Sequence, residues 1–74
     1  MPVIKKGKCY IAPSADIIGD VTLDEDVNVW YHATIRADAD KIYIGKESNI
    51  QDNCVLHVDE GYPVHIGEKV TVGH

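Results

Sequence analysis

The sequence predicts an all-β fold: a parallel β-helix of just over three coils, built from short strands wound round a narrow apolar core. Three observations predict it. Apolar residues recur every six positions along most of the chain, and a small or apolar residue stands four positions after most of them. Every window that could hold an amphipathic helix is punctuated by β-branched residues or glycine. A period of six suits neither a helix, which repeats at 3.6, nor an exposed strand, which repeats at two.

The first ten residues read as a lead-in, with Lys5, Lys6 and Lys8 solvating a short extended segment, and the repeat occupies 11–74. Counting by six from Ile11 gives Ile17, Leu23, Val29 and Ile35 without a miss, with Ala15, Val21, Val27 and Ala33 at the second position. The count slips by three, then resumes at Ile44, Ile50 and Leu56, with Ser48 and Cys54 at the small position. It slips by four, then resumes at Ile66 and Val72, with Val70 between them.

Physically, each hexad is a short strand plus a bend, and three hexads close one coil. Neighbouring coils pair their backbones at about 4.8 Å, and stacking buries the apolar side that one coil alone cannot. A β-sandwich would show period two with turns every 8–12 residues, not one shared six-residue register. Face A takes anchors 17, 35 and 56, face B 23, 44 and 66, and face C 11, 29, 50 and 72. Both slips follow face A anchors, so the segments ADADKIY (37–43) and DEGYPVH (59–65) should leave as loops at one corner.

At 74 residues this is one domain at most, near the lower limit for a self-sufficient core. Twelve acidic residues face seven basic ones, for a net charge of −5, which argues against non-specific nucleic-acid binding and against anionic membranes. No apolar run approaches 18 residues and the start lacks the apolar core of a signal peptide, so a cytoplasmic setting is expected. Cys9 and Cys54 are too few and too far apart for a disulfide framework or a zinc knuckle. Cys54, at a small inward position, reads as a buried free thiol.

The register also places the polar residues. His57 lies one residue past its face A anchor, directly above Arg36. Gln51 lies above Trp30 on face C, and His74 above Asp52. The position above His57 would be number 79, beyond the sequence. His32 and His65 read as surface or packing residues. The glycines serve bends and form no phosphate-binding loop, since no G-x-x-x-x-G-K-[ST] occurs.

The segments IRADAD, IGKESNIQDNCVLH and IGEKVTVGH resemble the gamma-class carbonic anhydrases and their hexapeptide-repeat relatives. The resemblance covers nearly all of the chain from Ile11 onward, and NIQD-x₃-LH combined with VGH is its specific part. It implies a left-handed helix, assembly as a homotrimer, and a zinc, cobalt or iron ion held by three histidines at each subunit interface. By position, His57 and His74 match the first and second ligands, Arg36 and Asp38 an interface ion pair, and Asp52 the acidic residue that steadies the arginine. Gln51 matches a residue bonded to the metal's solvent ligand, Asn49 one lining the substrate pocket, and Glu60 a proton-shuttling carboxylate.

The activity implied is hydration of CO2 to bicarbonate by water that the metal activates. The third ligand is expected five residues after the second and is absent from this chain. The sequence therefore reads as an amino-terminal piece whose site, if formed from these residues alone, would be weak or inactive. Two alternatives stand beside it: a hexapeptide-repeat acyltransferase using CoA and a histidine base, and a non-catalytic β-helix serving assembly.

Overall fold

A computed structural model describes residues 3–73, so His74 lies outside the described residues. Within them the chain is all β, with no helix and hence none long and apolar enough to cross a membrane. Nine strands follow in order: β1 Ile4–Lys5, β2 Tyr10–Ile11, β3 Asp16–Leu23, β4 Asn28–Val29, β5 Thr34–Ile44, β6 Asn49–Ile50, β7 Val55–His57, β8 Val64–Ile66 and β9 Thr71–Val72. Every pairing between them is parallel. The architecture is a β-solenoid of about three turns.

The three faces appear as three ladders. On face A, Ile17 pairs with Ile35 and Ile35 with Leu56. On face B, Leu23 pairs with Ile44 and Ile44 with Ile66. Face C runs Ile11, Val29, Ile50, Val72. Because alternate residues of a strand point to opposite sides, the anchors face inward. Leu23, Val29, Ile35, Ile44 and Ile50 are completely buried, and each contributes about 1.5–3 kcal/mol by leaving water. Leu56, Ile66 and Val72, in the uppermost described rung, are only partly covered.

A second inward column joins them. Val21 pairs with Ile42 and Ile42 with Val64, two residues before the face B anchors. Ile42 and Val58 are both buried although the six-residue count names neither. Ser48 is the buried polar residue at a small position. Its hydroxyl donates to the Gly67 carbonyl at 2.6 Å and accepts from the Val70 amide at 3.0 Å, so both lone-pair and proton are used. Cys54 is a buried free thiol, as expected, donating to the Gly73 carbonyl at 2.8 Å.

Within the lead-in, Ile4 and Lys5 pair with Thr22 and Leu23, and Tyr10 pairs with Asn28. One expectation changes. The segment ADADKIY does not leave as a loop. It stays within β5, its extra residues forming a bulge opposite Gly19–Val21 that restores the register at Ile42. Only the second insertion leaves the sheet, as a tight turn closed by a bridge between Asp59 and Tyr62.

Candidate metal-binding and catalytic face

Face A presents an outward column of Ile18, Arg36 and His57, each one residue past an inward-facing anchor and paired with the next. The bulge turns Asp38 back onto this column. Its Oδ2 stands 3.3 Å from Arg36 Nε and its Oδ1 3.7 Å from His57 Nε2, so one carboxylate spans both side chains. Arg36, Asp38 and His57 are all about half exposed. In that setting the Arg36–Asp38 pair is worth about 0–1 kcal/mol; its effect is to orient the groups.

Face C carries a polar ladder. Gln51 Nε2 donates to Asn49 Oδ1 at 3.3 Å, and Asn49 Nδ2 donates to Thr71 Oγ1 at 3.2 Å. One coil below, the indole of Trp30 donates to Asn28 Oδ1 at 2.7 Å, repeating the same i, i+2 clamp. An indole only donates, which fixes the sense of that Asn28 amide. Tyr10 packs against Trp30 at 4.9 Å between ring centroids, and Tyr31 meets its edge.

Glu60 is exposed in the turn of the second insertion, next to Gly61, whose φ is +81°. The Gly61 amide donates to Asp40 Oδ2 at 3.0 Å, while Asp40 Oδ1 accepts from the Lys41 amide at 2.8 Å. The two insertions are thus joined through one carboxylate. Asp52 is exposed in the turn after β6 and forms no ion pair among the described residues. His65 stacks on Tyr43 at 4.7 Å, and His32 occupies an exposed turn, so both are surface or packing residues as their positions suggested.

Face B has its own polar contact away from His57. The Tyr43 hydroxyl donates to Asp24 Oδ2 and the Glu25 amide to Asp24 Oδ1. The bond from Tyr43, then that from Glu25, holds the Asp24 carboxyl below its ordinary range; the same bond, then burial, pushes the Tyr43 phenol up. Burial is also the main cause of the raised Cys9 thiol, which donates to the Asp24 carbonyl at 3.1 Å.

The donor set decides what this face can hold. Among the described residues no three of His, Cys, Asp and Glu converge on one point. What face A offers is a single half-exposed imidazole, reachable from outside the coil and flanked by a carboxylate. Such an imidazole can serve as one ligand to a metal ion. Neutral imidazole is an ordinary ligand for zinc, iron and cobalt alike.

A protein of Methanocaldococcus jannaschii named probable carbonic anhydrase is 56% identical over 64 residues, which is 86% of this chain. Gamma carbonic anhydrase 1, mitochondrial, of Arabidopsis thaliana is 37% identical over an alignment covering 99% of the chain. The chain belongs to the gamma-class carbonic anhydrase-like family. A carbonic anhydrase of Geobacillus kaustophilus is also similar, 42% identical over 65 residues and 88% of the chain. The chain spans 40%, 28% and 36% of these three relatives' lengths. No family model matches it.

Positional reasoning placed Arg36 and His57 in one column, and they are paired. It missed Asp40 and Thr71. Asp40 lies inside the bulge, where the six-residue count is suspended, and no sequence signal marks it. Thr71 precedes the Val72 anchor just as Asn49 precedes Ile50, so the face C ladder could have been read from the register.

Proposed function

We propose that this chain supplies part of a carbonic anhydrase site that converts CO2 and water to bicarbonate and a proton. His57 and His74 contribute imidazoles to a metal ion shared between subunits of a homotrimer, with zinc, iron or cobalt as the ion. The observation that carries this reading is His57 standing in register over Arg36 with Asp38 reaching both, in a chain so similar to named carbonic anhydrases. The metal, when bound, supplies the Lewis acidity that activates water near neutral pH.

The chain's own residues have separate tasks. Asp38 limits rotation of the His57 ring and steadies Arg36 for a contact with a neighbouring subunit, where Asp52 is a further acidic partner. Gln51, its amide held by Asn49, orients the reacting water. Asn49, held in turn by Thr71, lines the approach for CO2. Glu60, exposed in its turn, takes the released proton toward solvent.

The test is metal content per chain, measured by elemental analysis together with native mass, in the protein and in His57→Ala. The reading expects one ion per chain in a trimer, CO2 hydration by the loaded protein, and a loss of at least about tenfold in metal affinity on removing the imidazole. Protein that takes up no zinc, iron or cobalt, or that retains full metal without His57, overturns it. Acetyl transfer from acetyl-CoA in place of hydration would favour the acyltransferase alternative.

A further inference from the structure

The two insertions meet at one place, and the contact is chemically specific. Asp40 belongs to the bulge of β5 and Gly61 to the turn of the second insertion, yet the Gly61 amide donates to Asp40 Oδ2 at 3.0 Å. Both oxygens of that carboxylate are engaged, since Oδ1 accepts from the Lys41 amide. Among the described residues this is the one hydrogen bond that ties the turn 59–62 to the coil beneath it between β7 and β8. Inside the turn, only the bridge between Asp59 and Tyr62 holds the shape.

The sequence around Gly61 is suited to this bond. A β-carbon there would meet nothing within 4 Å, so the position has no steric need for glycine. Its φ of +81° is the need: glycine adopts that conformation without strain and so aims its amide at the carboxylate. Glu60, Gly61, Tyr62 and Pro63 are all exposed, and Tyr62 is 74% accessible, so packing does little to fix them. A loop with so few apolar contacts is held by its polar tether or not at all.

We propose that Asp40 is a positioning residue: it locks the two insertions together and so fixes Glu60 as the group through which protons leave the face A site. This rests on the carbonic anhydrase reading. Each hydration of CO2 yields one bicarbonate and one proton. The proton passes to the Glu60 carboxylate, giving the neutral acid, and then to a buffer base in solvent, which restores the carboxylate. A carboxylate on an untethered turn would make that hand-over in a small fraction of its conformations. Asp40 itself touches neither substrate nor metal in this scheme.

The experiment pairs hydrogen exchange with kinetics in the metal-loaded protein, in Asp40→Ala and Asp40→Asn. In Asp40→Ala, exchange at the Gly61 amide should rise by about tenfold or more. In the same variant, kcat for CO2 hydration at low buffer should fall by roughly three- to tenfold, the scale of a compromised proton transfer, and recover with added imidazole. The value of kcat/KM, which reports hydration before proton release, should stay within about twofold. Asp40→Asn keeps one accepting oxygen and should lie between. Glu60→Gln should copy the kinetic change, and combining it with Asp40→Ala should add nothing further, since both act on one step.

Unchanged exchange at Gly61 overturns the proposal, whatever the kinetics. So does a parallel fall in kcat and kcat/KM, which is the mark of general structural damage. A parent protein without hydration activity sinks the carbonic anhydrase reading and the proton role with it, while Gly61 exchange still decides whether Asp40 holds the turn.

Discussion

The solenoid has two kinds of corner, and they solve the same bend differently. At the corners following faces B and C the third residue past the anchor adopts a left-handed conformation: Asp26, His32, Glu47, Asn53 and Lys69 all have φ near +60°. The amides of Glu47, Asn53 and Lys69 each donate to a carbonyl of the coil below, those of Glu25, Tyr31 and Lys46. For residues other than asparagine and aspartate the left-handed conformation costs about 1–2 kcal/mol, and the repeated bonds offset that cost. At the corner following face A no non-glycine residue is left-handed. Gly19 turns the lower coil with a φ of +90°, and the coils above carry the bulge and the turned insertion. Regular corners keep the coil in register, while the irregular one carries Asp40, Glu60 and the Asp38 that reaches His57. Part of the candidate chemistry, Asp38 and Glu60, sits where the repeat is broken, and part, Asn49 and Gln51, on the regular face C.

The largest way to break this contrast is at Gly19. A β-carbon there would lie 2.2 Å from the Ala37 carbonyl oxygen, which is backbone and cannot move aside without opening the β3–β5 ladder. Gly19→Ala should therefore cost more than about 3 kcal/mol, combining overpacking with backbone strain, and abolish a cooperative thermal transition. Gly61→Ala, at the same corner but in open space, should cost only about 1–2 kcal/mol through its positive φ. Equal losses for the two would show that the corner is not held by close backbone contact.

Much of this was legible in the sequence because the repeat is a geometric constraint. Once Ile17, Ile35 and Leu56 share a face, Arg36 and His57 must share a column, and no side-chain detail is needed. Where the count slips, legibility stops. The register predicts that extra residues exist after Ile35 but not whether they leave the sheet. Ala37 and Ile42 are apolar enough to remain buried, so the segment stayed in the ladder as a bulge. The Asp40–Gly61 contact depends on where two irregular segments land in space, which no periodicity encodes.

A middle-sized effect sharpens the account of the regular corners. Glu47 is exposed at φ +62°, so Glu47→Gly removes left-handed strain at the cost of a more flexible unfolded chain. The balance should be a gain of about 0.5–1 kcal/mol, read as a raised midpoint in urea. Asn53→Gly should gain close to nothing, because asparagine already tolerates that conformation. A loss at Glu47 would mean that its side chain, and not only its backbone, holds the corner.

The smallest expected effect concerns the side-chain clasp at a regular corner, the counterpart of Asp40 at the irregular one. Asp24 opens the corner after face B and accepts from the Tyr43 hydroxyl of the coil above. Because the folded protein lowers the Asp24 pKa from 3.8, the stabilisation is present above that value and is lost as pH falls through the lowered one. Because it raises the Tyr43 pKa from 10.0, the same stabilisation is present below that value and is lost as pH rises through the raised one. Tyr43→Phe keeps the ring against His65 but removes the bond. The stability difference between the protein and this variant should be flat from about pH 5 to 9 and shrink at both extremes. A difference that persists undiminished in strong acid would show that Tyr43 acts through its ring packing, leaving the irregular corner as the one place where an aspartate joins two coils to measurable effect.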